Sequence, residues 1–534
     1  MKLGADIIVI GSGPAGVSAS WPLVEAGRNV LMLDQGVGPK SSSQMDGSFL
    51  EIRRQNEDQW RLFLGDEFYG LKDQGNVSPK LKVPASAYTF EGFSEAYKLQ
   101  TDSFMAVGSL ATGGLSNAWG AGAYAYDDRD LKHFPVSRED LTASFKTVAD
   151  RIGISGKAND DMGEFYGNDV PLQAPVPLHE NTQHLVNLYS QKIEKIRSLG
   201  LYLGLARNAV LSEAIGSRSA CTEDNMCLWG CSKGAIYSAA QDIDALMERD
   251  NFNYQRGCFV QSIQREGDGI IVRYGSPSGV EAERTARAKT VVLAAGTIGS
   301  TKLAMQTLGY LEQAVELKSN PAFAMAFCLP RKIGNAIGNK GFSLGQLGFR
   351  IEESNDDADY AHGVIFSSGS LLTSEIARYL PLSRPASISF LRRLMPSLIF
   401  LNCFLPGSYS SHKMVLSKSG ELQIQGGYQT SFIAKVELTR LKLSRGFRQL
   451  GAYALPGGAK ISEPGSDIHY AGTLPMGGKS KLATDAYGQL SGVPGLYVVD
   501  GAVLPQLAAK NPTFTIMANA DRIGRYLLSG PALK

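Results

Sequence analysis

The chain has 534 residues, 43% of them hydrophobic and 19% charged, with a formal net charge of +2. That length allows a large core and more than one domain, and the composition is that of an ordinary globular protein. So balanced a charge gives no electrostatic case for nucleic acid or an anionic membrane as partner, and six cysteines in this length are not a disulfide framework.

Only MKLGA precedes the first predicted strand, so no signal peptide is read and cytoplasmic residence is expected. Export to the periplasm with a signal-bearing partner subunit is the alternative. Residues 6–34, DIIVIGSGPAGVSASWPLVEAGRNVLMLD, are the most informative in the chain. A short apolar strand runs into Gly11-Ser12-Gly13-Pro14-Ala15-Gly16, a helical pattern follows over 15–25, Gly27 stops it, and a second strand over 29–33 ends in Asp34. This is the β-α-β dinucleotide fingerprint. Gly11 permits the tight turn, Gly13 lets backbone approach a pyrophosphate, and Gly16 lets helix and strand pack closely. The helix N-terminus offers unpaired N–H groups and a partial positive charge to the phosphates, and Asp34 can accept the adenosine ribose hydroxyls. The motif alone does not separate FAD from NAD.

Further along come a glycine-rich segment at 113–120, GGLSNAWG, and three clustered cysteines, Cys221, Cys227 and Cys231, within ACTEDNMCLWGCSKGA. Zinc sites usually show four ligands with shorter gaps, and no histidine stands near. The cysteines read either as metal ligands or as a reduced loop lining a site. Residues 291–300, VVLAAGTIGS, form a strand and glycine turn, and residues 350–422 mix alternating strand patterns with prolines, as a covering sheet would. The run 396–406, PSLIFLNCFLP, is bounded by prolines, reads as a core strand, and falls short of the roughly 18 apolar residues of a spanning helix. At the C-terminus stand 467–477 (DIHYAGTLPMG), 495–505 (GLYVVDGAVLP) and 511–520 (NPTFTIMANA). The second reads as a buried strand ending in Asp500 and Gly501, able to face a second phosphate or ribityl chain. The third is helical from Thr513 onward.

Taken together these segments resemble the glucose–methanol–choline (GMC) oxidoreductase family. The resemblance implies an α/β fold with an α+β part: a Rossmann-like FAD-binding domain and a substrate domain on an antiparallel sheet. The expected FAD domain is discontinuous, comprising 1–40, 102–133, 241–311 and 460–534, with 41–101, 134–240 and 312–459 as substrate domain. Cofactor contacts are implied at Gly11, Ser12, Gly13, Pro14, Ala15, Gly16, Asp34 and Gln35. Others are implied at Gly113, Gly114, Ser116, Asn117, Ala118 and Trp119, and at Val260, Ala295, Gly296, Asp500, Gly501, Asn511, Pro512 and Thr513. Where sugar oxidases with covalent flavin carry a histidine, this chain has Ala118, so FAD is expected to be non-covalent.

Oxidation of an alcohol moves a hydride to flavin and a proton to a neutral base, for which histidine is suited near pH 7. Of six histidines, His469 alone stands in a motif that the resemblance places at the flavin, paired with Asn511. Asn511 would orient the substrate oxygen; capping the last helix ahead of Pro512 is its structural alternative. The cysteine spacing resembles catalytic subunits of bacterial sugar dehydrogenases that hold a three-iron cluster, although Ser232 stands where those carry proline. The expected function is oxidation of a CH–OH group in a sugar, polyol or related alcohol, with electrons passed to a non-oxygen acceptor or partner subunit. An oxidase that makes hydrogen peroxide is the alternative, ahead of a non-catalytic flavoprotein subunit and of a NAD-dependent dehydrogenase.

Overall fold

The computed structural model describes residues 5–39, 47–71, 79–277, 283–336, 340–352, 358–368 and 380–529. The chain opens with β1 (Ile7–Ile10), turns at Gly11 into α1 (Pro14–Glu25), and continues to β2 (Val30–Leu33). Gly27, at φ 78°, takes the left-handed conformation that ends α1. Next come α2 (Arg138–Ile152), opened by a Ser137–Asp140 capping box, then β3 (Leu201–Leu205), α3 (Ala239–Met247) and β4 (Phe252–Gln255). They lead to β5 (Thr290–Leu293), α4 (Gly296–Thr307), β6 (Ala322–Cys328), β7 (Leu347–Glu352) and β8 (Tyr360–Ser367). The last elements are α5 (Arg384–Leu394), β9 (Leu398–Phe404), α6 (Phe432–Gln449), β10 (Tyr453–Ile461), β11 (Leu496–Val498) and α7 (Thr513–Ser529).

Five of these strands form a parallel sheet in the order β11-β5-β1-β2-β4. Its central strands are uniformly apolar because both faces are covered, as all-parallel sheets require. One covering layer is α1, which packs on α7, which in turn packs on α2. A Cβ at Gly524 of α7 would lie 2.4 Å from the Ala19 carbonyl oxygen, so only glycine lets these helices meet so closely.

The second large sheet is antiparallel, ordered β10-β6-β9-β8-β7-β3. On one face Phe323, Phe327, Ile399 and Leu401 pack with Phe432, Val436, Leu443 and Phe447 of α6. The other face looks into the central cavity. The run 396–406 is thus a sheet strand, β9, and no helix among the described residues is long and apolar enough to cross a membrane. Two smaller sheets complete the fold: one joins Phe259–Glu266, Gly269–Gly275 and Arg284–Ala288, the other Leu99–Asp102, Ala314–Leu317, His412–Leu416 and Leu422–Gln425. Part of the 350–422 stretch, 353–357 and 369–379, lies outside the described residues.

The turn from β1 into α1 is the tightest contact of the parallel sheet. A Cβ at Gly16 would stand 2.0 Å from the Gly11 carbonyl oxygen, and one at Gly11 would stand 2.4 Å from the Ala294 carbonyl oxygen. Both neighbours are backbone and cannot turn aside. Replacing Gly16 by alanine should therefore cost about 1–3 kcal/mol, as overpacking of a dense core does. A thermal midpoint unchanged from wild type in a melting experiment would show that α1 can shift freely.

Candidate active site

The carboxyl ends of β1, β2 and β5, together with the turn after β11, open onto a cavity of about 790 Å³. Its far wall is the free face of the antiparallel sheet. Ligands of open parallel sheets bind at this edge, because strand ends and helix N-termini converge there. The cavity is lined by Gly11, Ser12, Gly13, Pro14 and Ala15 after β1, by Asp34 and Gln35 after β2, and by Val260. Ala295 and Gly296 line it after β5, with Asp500 and Gly501 after β11. Gly114, Ser116, Ala118 and Trp119 contribute from the glycine-rich loop, and His469, Asn511, Pro512 and Thr513 from the C-terminal segments.

Gly16, Gly113 and Asn117 do not line it. Their part is to shape its walls. Gly16 lets α1 close on β1, as above. Gly113, at φ 84°, donates its N–H to Ser12 Oγ at 3.0 Å, and a Cβ there would meet the Ala240 nitrogen at 2.6 Å. Asn117 donates to the Thr112 and Gly114 carbonyls and accepts from Ser238 Oγ. Ser116 Oγ accepts from the Ala239 N–H, and Trp119 Nε1 donates to the Tyr237 carbonyl. The loop is thereby pinned to the start of α3.

The residues present fit a bound dinucleotide. The N-cap Gly13 leaves the α1 N–H groups without a side-chain partner, and nothing lies within 4 Å of where its Cβ would be. Phosphate oxygens can approach this backbone directly. Asp34 accepts from Ser12 Oγ and from Tyr254 Oη, the latter at 3.0 Å. Burial nonetheless pushes its carboxyl up to about 6. Burial likewise pushes Asp500 up to about 6 although it accepts from Ser300 and from the Ala502 N–H.

His469 and Asn511 reach the same cavity from two separate loops. The His469 ring packs on Phe404 with centroids 5.2 Å apart. It lines the cavity, and desolvation pulls its pKa down to about 4, so the imidazole is neutral near pH 7. His469 Nδ1 and Asn511 Oδ1 are both buried and lack a hydrogen-bond partner within the protein. Asn511 Oδ1 thus does not cap α7, and the capping alternative falls. Beside His469, Ile468 is held at φ 63°, a left-handed conformation that strains a β-branched residue. Asp467 accepts from the Ser319 hydroxyl and the Asn320 N–H, yet burial pushes it up to about 8. It is therefore mostly protonated near neutrality.

One charged cluster was not legible beforehand. Lys510, next to Asn511 and fully buried, donates to Asp130 Oδ2 at 2.7 Å and Asp127 Oδ2 at 3.1 Å. Its ammonium lies 3.9 Å from the centre of the Phe165 ring. Burial opposes ionisation of Asp127, but Lys510 and Arg129 outweigh it and hold that carboxyl low. Burial, ahead of the Lys510 attraction, pushes Asp130 up. The acidic run DDRD at 127–130 was the available signal, but an acidic run ordinarily marks a solvated turn. His362, on β8, is also buried. Tyr166 Oη lies 2.8 Å from its Nε2, and burial, ahead of the nearby Lys510 and His469 charges, pulls it down to about 3.

The three clustered cysteines are not built as a ligand set. Burial pushes the Cys227 thiol up to about 12 and the Cys221 thiol up to about 11. Among the described residues no group of three histidine, cysteine, aspartate or glutamate side chains is arranged to hold a metal ion. An iron–sulfur cluster is unsupported, and no electron path is drawn through one.

This fold and site define an oxidoreductase of the flavoprotein type. Residues 459–520 match the C-terminal family model of the GMC oxidoreductases. A GMC-type oxidoreductase of Sinorhizobium fredii is 44% identical over 63 residues, a segment spanning 12% of each chain. The 6'''-hydroxyparomomycin C oxidase of Streptomyces lividus is 23% identical across 98% of this chain and 91% of its own. The crystal structure of pyridoxine 4-oxidase from Mesorbium loti shares the fold, with a TM-score of 0.60 at 15% identity over 99% of this chain and 100% of that one. By these findings the chain is similar to the GMC oxidoreductases, through the C-terminal segment at residues 459–520 and a relative of that type, and it shares the fold of a solved oxidase.

The Lys510 cluster carries its own expectation. Lys510→Met leaves the buried Asp130 carboxylate without its cation, while Asp127 keeps Arg129, and breaking such a buried pair costs about 3–5 kcal/mol. Without the cation, burial raises the folded-state pKa of Asp130 further above its unfolded value of about 4, so the loss is largest at neutral pH and shrinks as pH falls towards that value. A pH series of denaturant melts checks this; a deficit that grows on acidification would refute the assignment.

Proposed function

We propose that the chain oxidises the CH–OH group of a small-molecule alcohol, with non-covalently held FAD, His469 as proton acceptor and Asn511 as the group that orients the substrate oxygen. The observation that carries this reading is the pair of orphaned buried atoms, His469 Nδ1 and Asn511 Oδ1, in one cavity. A buried polar atom without a partner is rare and calls for a ligand. A hydroxyl can donate to one and accept from the amide of the other. Bound FAD would accept the hydride of the carbinol carbon and pass the electron pair to dioxygen, giving hydrogen peroxide.

The chain's own residues do the rest. The uncapped start of α1 binds the pyrophosphate, and Asp34 and Asp500 stand at the ends of strands for the ribose and the second half of the dinucleotide. Ala118 offers no atom for a covalent link, which supports the non-covalent reading. His469 is neutral because the cavity desolvates it, and it can take up the hydroxyl proton as the carbinol carbon is oxidised. The protonated Asp467 adds no negative charge to that end of the site.

Dioxygen is favoured as acceptor because relatives named above are oxidases, as are C-glycoside 3-oxidase of Arthrobacter globiformis and putrescine oxidase of Kocuria rosea, which match over short segments. This departs from the non-oxygen acceptor read from the sequence, which drew on the cysteine triplet. The measurement that separates them is peroxide formed per substrate oxidised in air. Near-equimolar peroxide is expected; turnover only with an artificial dye would return the reading to a dehydrogenase.

His469→Ala should lower kcat by roughly 10²–10⁴-fold, the usual worth of a general base, with flavin still bound. Wild-type activity in that variant would sink the assignment. Because the base must be neutral and its pKa is depressed to about 4, the acid limb of kcat/KM is expected well below the ordinary histidine value of about 6.5. A limb at the ordinary value would place the base in open solvent.

A further inference from the structure

The cavity face of the antiparallel sheet is ordered in three rows running across β6, β9 and β8. Nearest His469, Ala322 pairs with Phe404, which pairs with His362. In the middle row Ala324 pairs with Asn402, which pairs with Val364, and Lys460 of β10 pairs with Ala324. In the outer row Ala326 pairs with Phe400, which pairs with Phe366. Alternate residues of a strand lie about 7 Å apart, so the outer row stands roughly 14 Å from the Phe404 row. Beyond the outer row, the roof is a small apolar core of Leu391, Met395 and Leu398, on which Leu380, Leu394 and Leu455 pack. Leu391, Leu394 and Leu398 also line the cavity.

An antiparallel sheet with one face on the core is ordinarily polar on the other. Here the α6 face is apolar, and the cavity face is apolar too, with alanines where the space is needed and phenylalanines at its edges. The exceptions are Asn402 and Lys460 in the middle row and His362 at the end of the first, which is buried against Tyr166 and does not line the cavity. On the neighbouring segment Ser466 Oγ donates to the Glu463 carbonyl, and Asp467 is engaged with Ser319 and Asn320. Binding a sugar calls for several side chains that reach its hydroxyls; along the sheet wall only Asn402 and Lys460 could, and the unpartnered Tyr124 Oη and Asn208 Oδ1 of the cavity stand outside that sheet. The alanines leave width beside the aromatic rings, so the space suits a bulky body.

We propose that the substrate alcohol carries a large apolar body, alkyl, aryl or polycyclic, which lies along these rows from His469 to the Leu391–Leu398 roof. This rests on the reading that His469 and Asn511 receive the hydroxyl. It departs from the sugar or polyol expected from the sequence. The apolar wall supplies affinity by burial of hydrocarbon, and the two loop residues fix which carbon is oxidised.

The test is anaerobic flavin reduction in the flavin-loaded enzyme by 1-butanol, 1-hexanol, 1-decanol, sorbitol and glucose. The apparent second-order constant should rise about two- to fourfold per methylene, as buried CH₂ groups contribute. Sorbitol and glucose should fall at least a hundredfold below decanol. Ala326→Asp, and independently Phe400→Gln, should lower the decanol constant tenfold or more while leaving butanol within about twofold; the second variant guards against misfolding of the first. Binding of decanamide, an unreactive analogue, should weaken in parallel in a calorimetric titration. A constant independent of chain length, or a preference for the sugars, overturns the apolar substrate and leaves His469 as base. Flavin that is bound but reduced by none of the alcohols or sugars overturns the CH–OH reading, and this inference with it.

Discussion

The backbone of β1, α1 and β5 comes together at Gly11, Gly16 and Ala294 more closely than any side chain would permit, with carbonyl oxygens standing where Cβ atoms would be. This approach sets the start of α1 above the ends of the parallel strands. Everything in the cofactor half of the cavity follows from it. Gly13 faces open space, Ser12 bridges Asp34 to the Gly113 N–H, and the glycine-rich loop is drawn under the helix and tied to α3. A shift of α1 by the length of one carbon–carbon bond would disturb these links, because they depend on where Ser12 and the start of α1 stand.

The end of the cavity at His469 and Asn511 is organised on another principle, the suppression of charge. Desolvation keeps His469 unprotonated and Asp467 protonated near neutrality, so both present neutral faces. Charge is confined behind the wall, where Lys510 is clasped by Asp127 and Asp130 and covered by Phe165. That clasp anchors the backbone immediately before Asn511. A flexible loop would leave the Asn511 amide without a fixed orientation; a charged clasp in a low-dielectric site costs little once paired, but only when complete.

The antiparallel sheet connects the two halves. One face packs α6 to make an ordinary core. The other shows apolar side chains to an open space, an arrangement costly to leave exposed to water. A wall of this kind is economical when a hydrophobic ligand covers it, and the neutral state of His469 and Asp467 suits the same dry environment.

The cofactor half was legible in the sequence because its constraints are local. Strand, turn, helix and second strand of the fingerprint all fall within residues 6–34, and the glycines there are demanded by contacts between near neighbours. His469 and Asn511 were identified from motif resemblance, and the buried orphan atoms give them a physical reason. Other features depended on distant pairings that no local pattern encodes. Lys510 meets Asp127 and Asp130 from the far end of the chain, and the DDRD run has the look of a surface turn until that lysine arrives. The rows of the substrate wall exist only once β6, β9 and β8 are in register, since alternation along one strand does not say which face meets a cavity. The cysteine triplet shows the same limit from the other side: spacing suggested ligands, whereas among the described residues no group of side chains is arranged to hold a metal ion. Sequence by itself determined the β-α-β dinucleotide unit, because it rests on short-range backbone sterics, and motif resemblance pointed to His469 and Asn511 as candidates. Tertiary structure alone decided the charge state, the anchoring and the polarity of the substrate wall, because desolvation depends on which distant segments exclude the water.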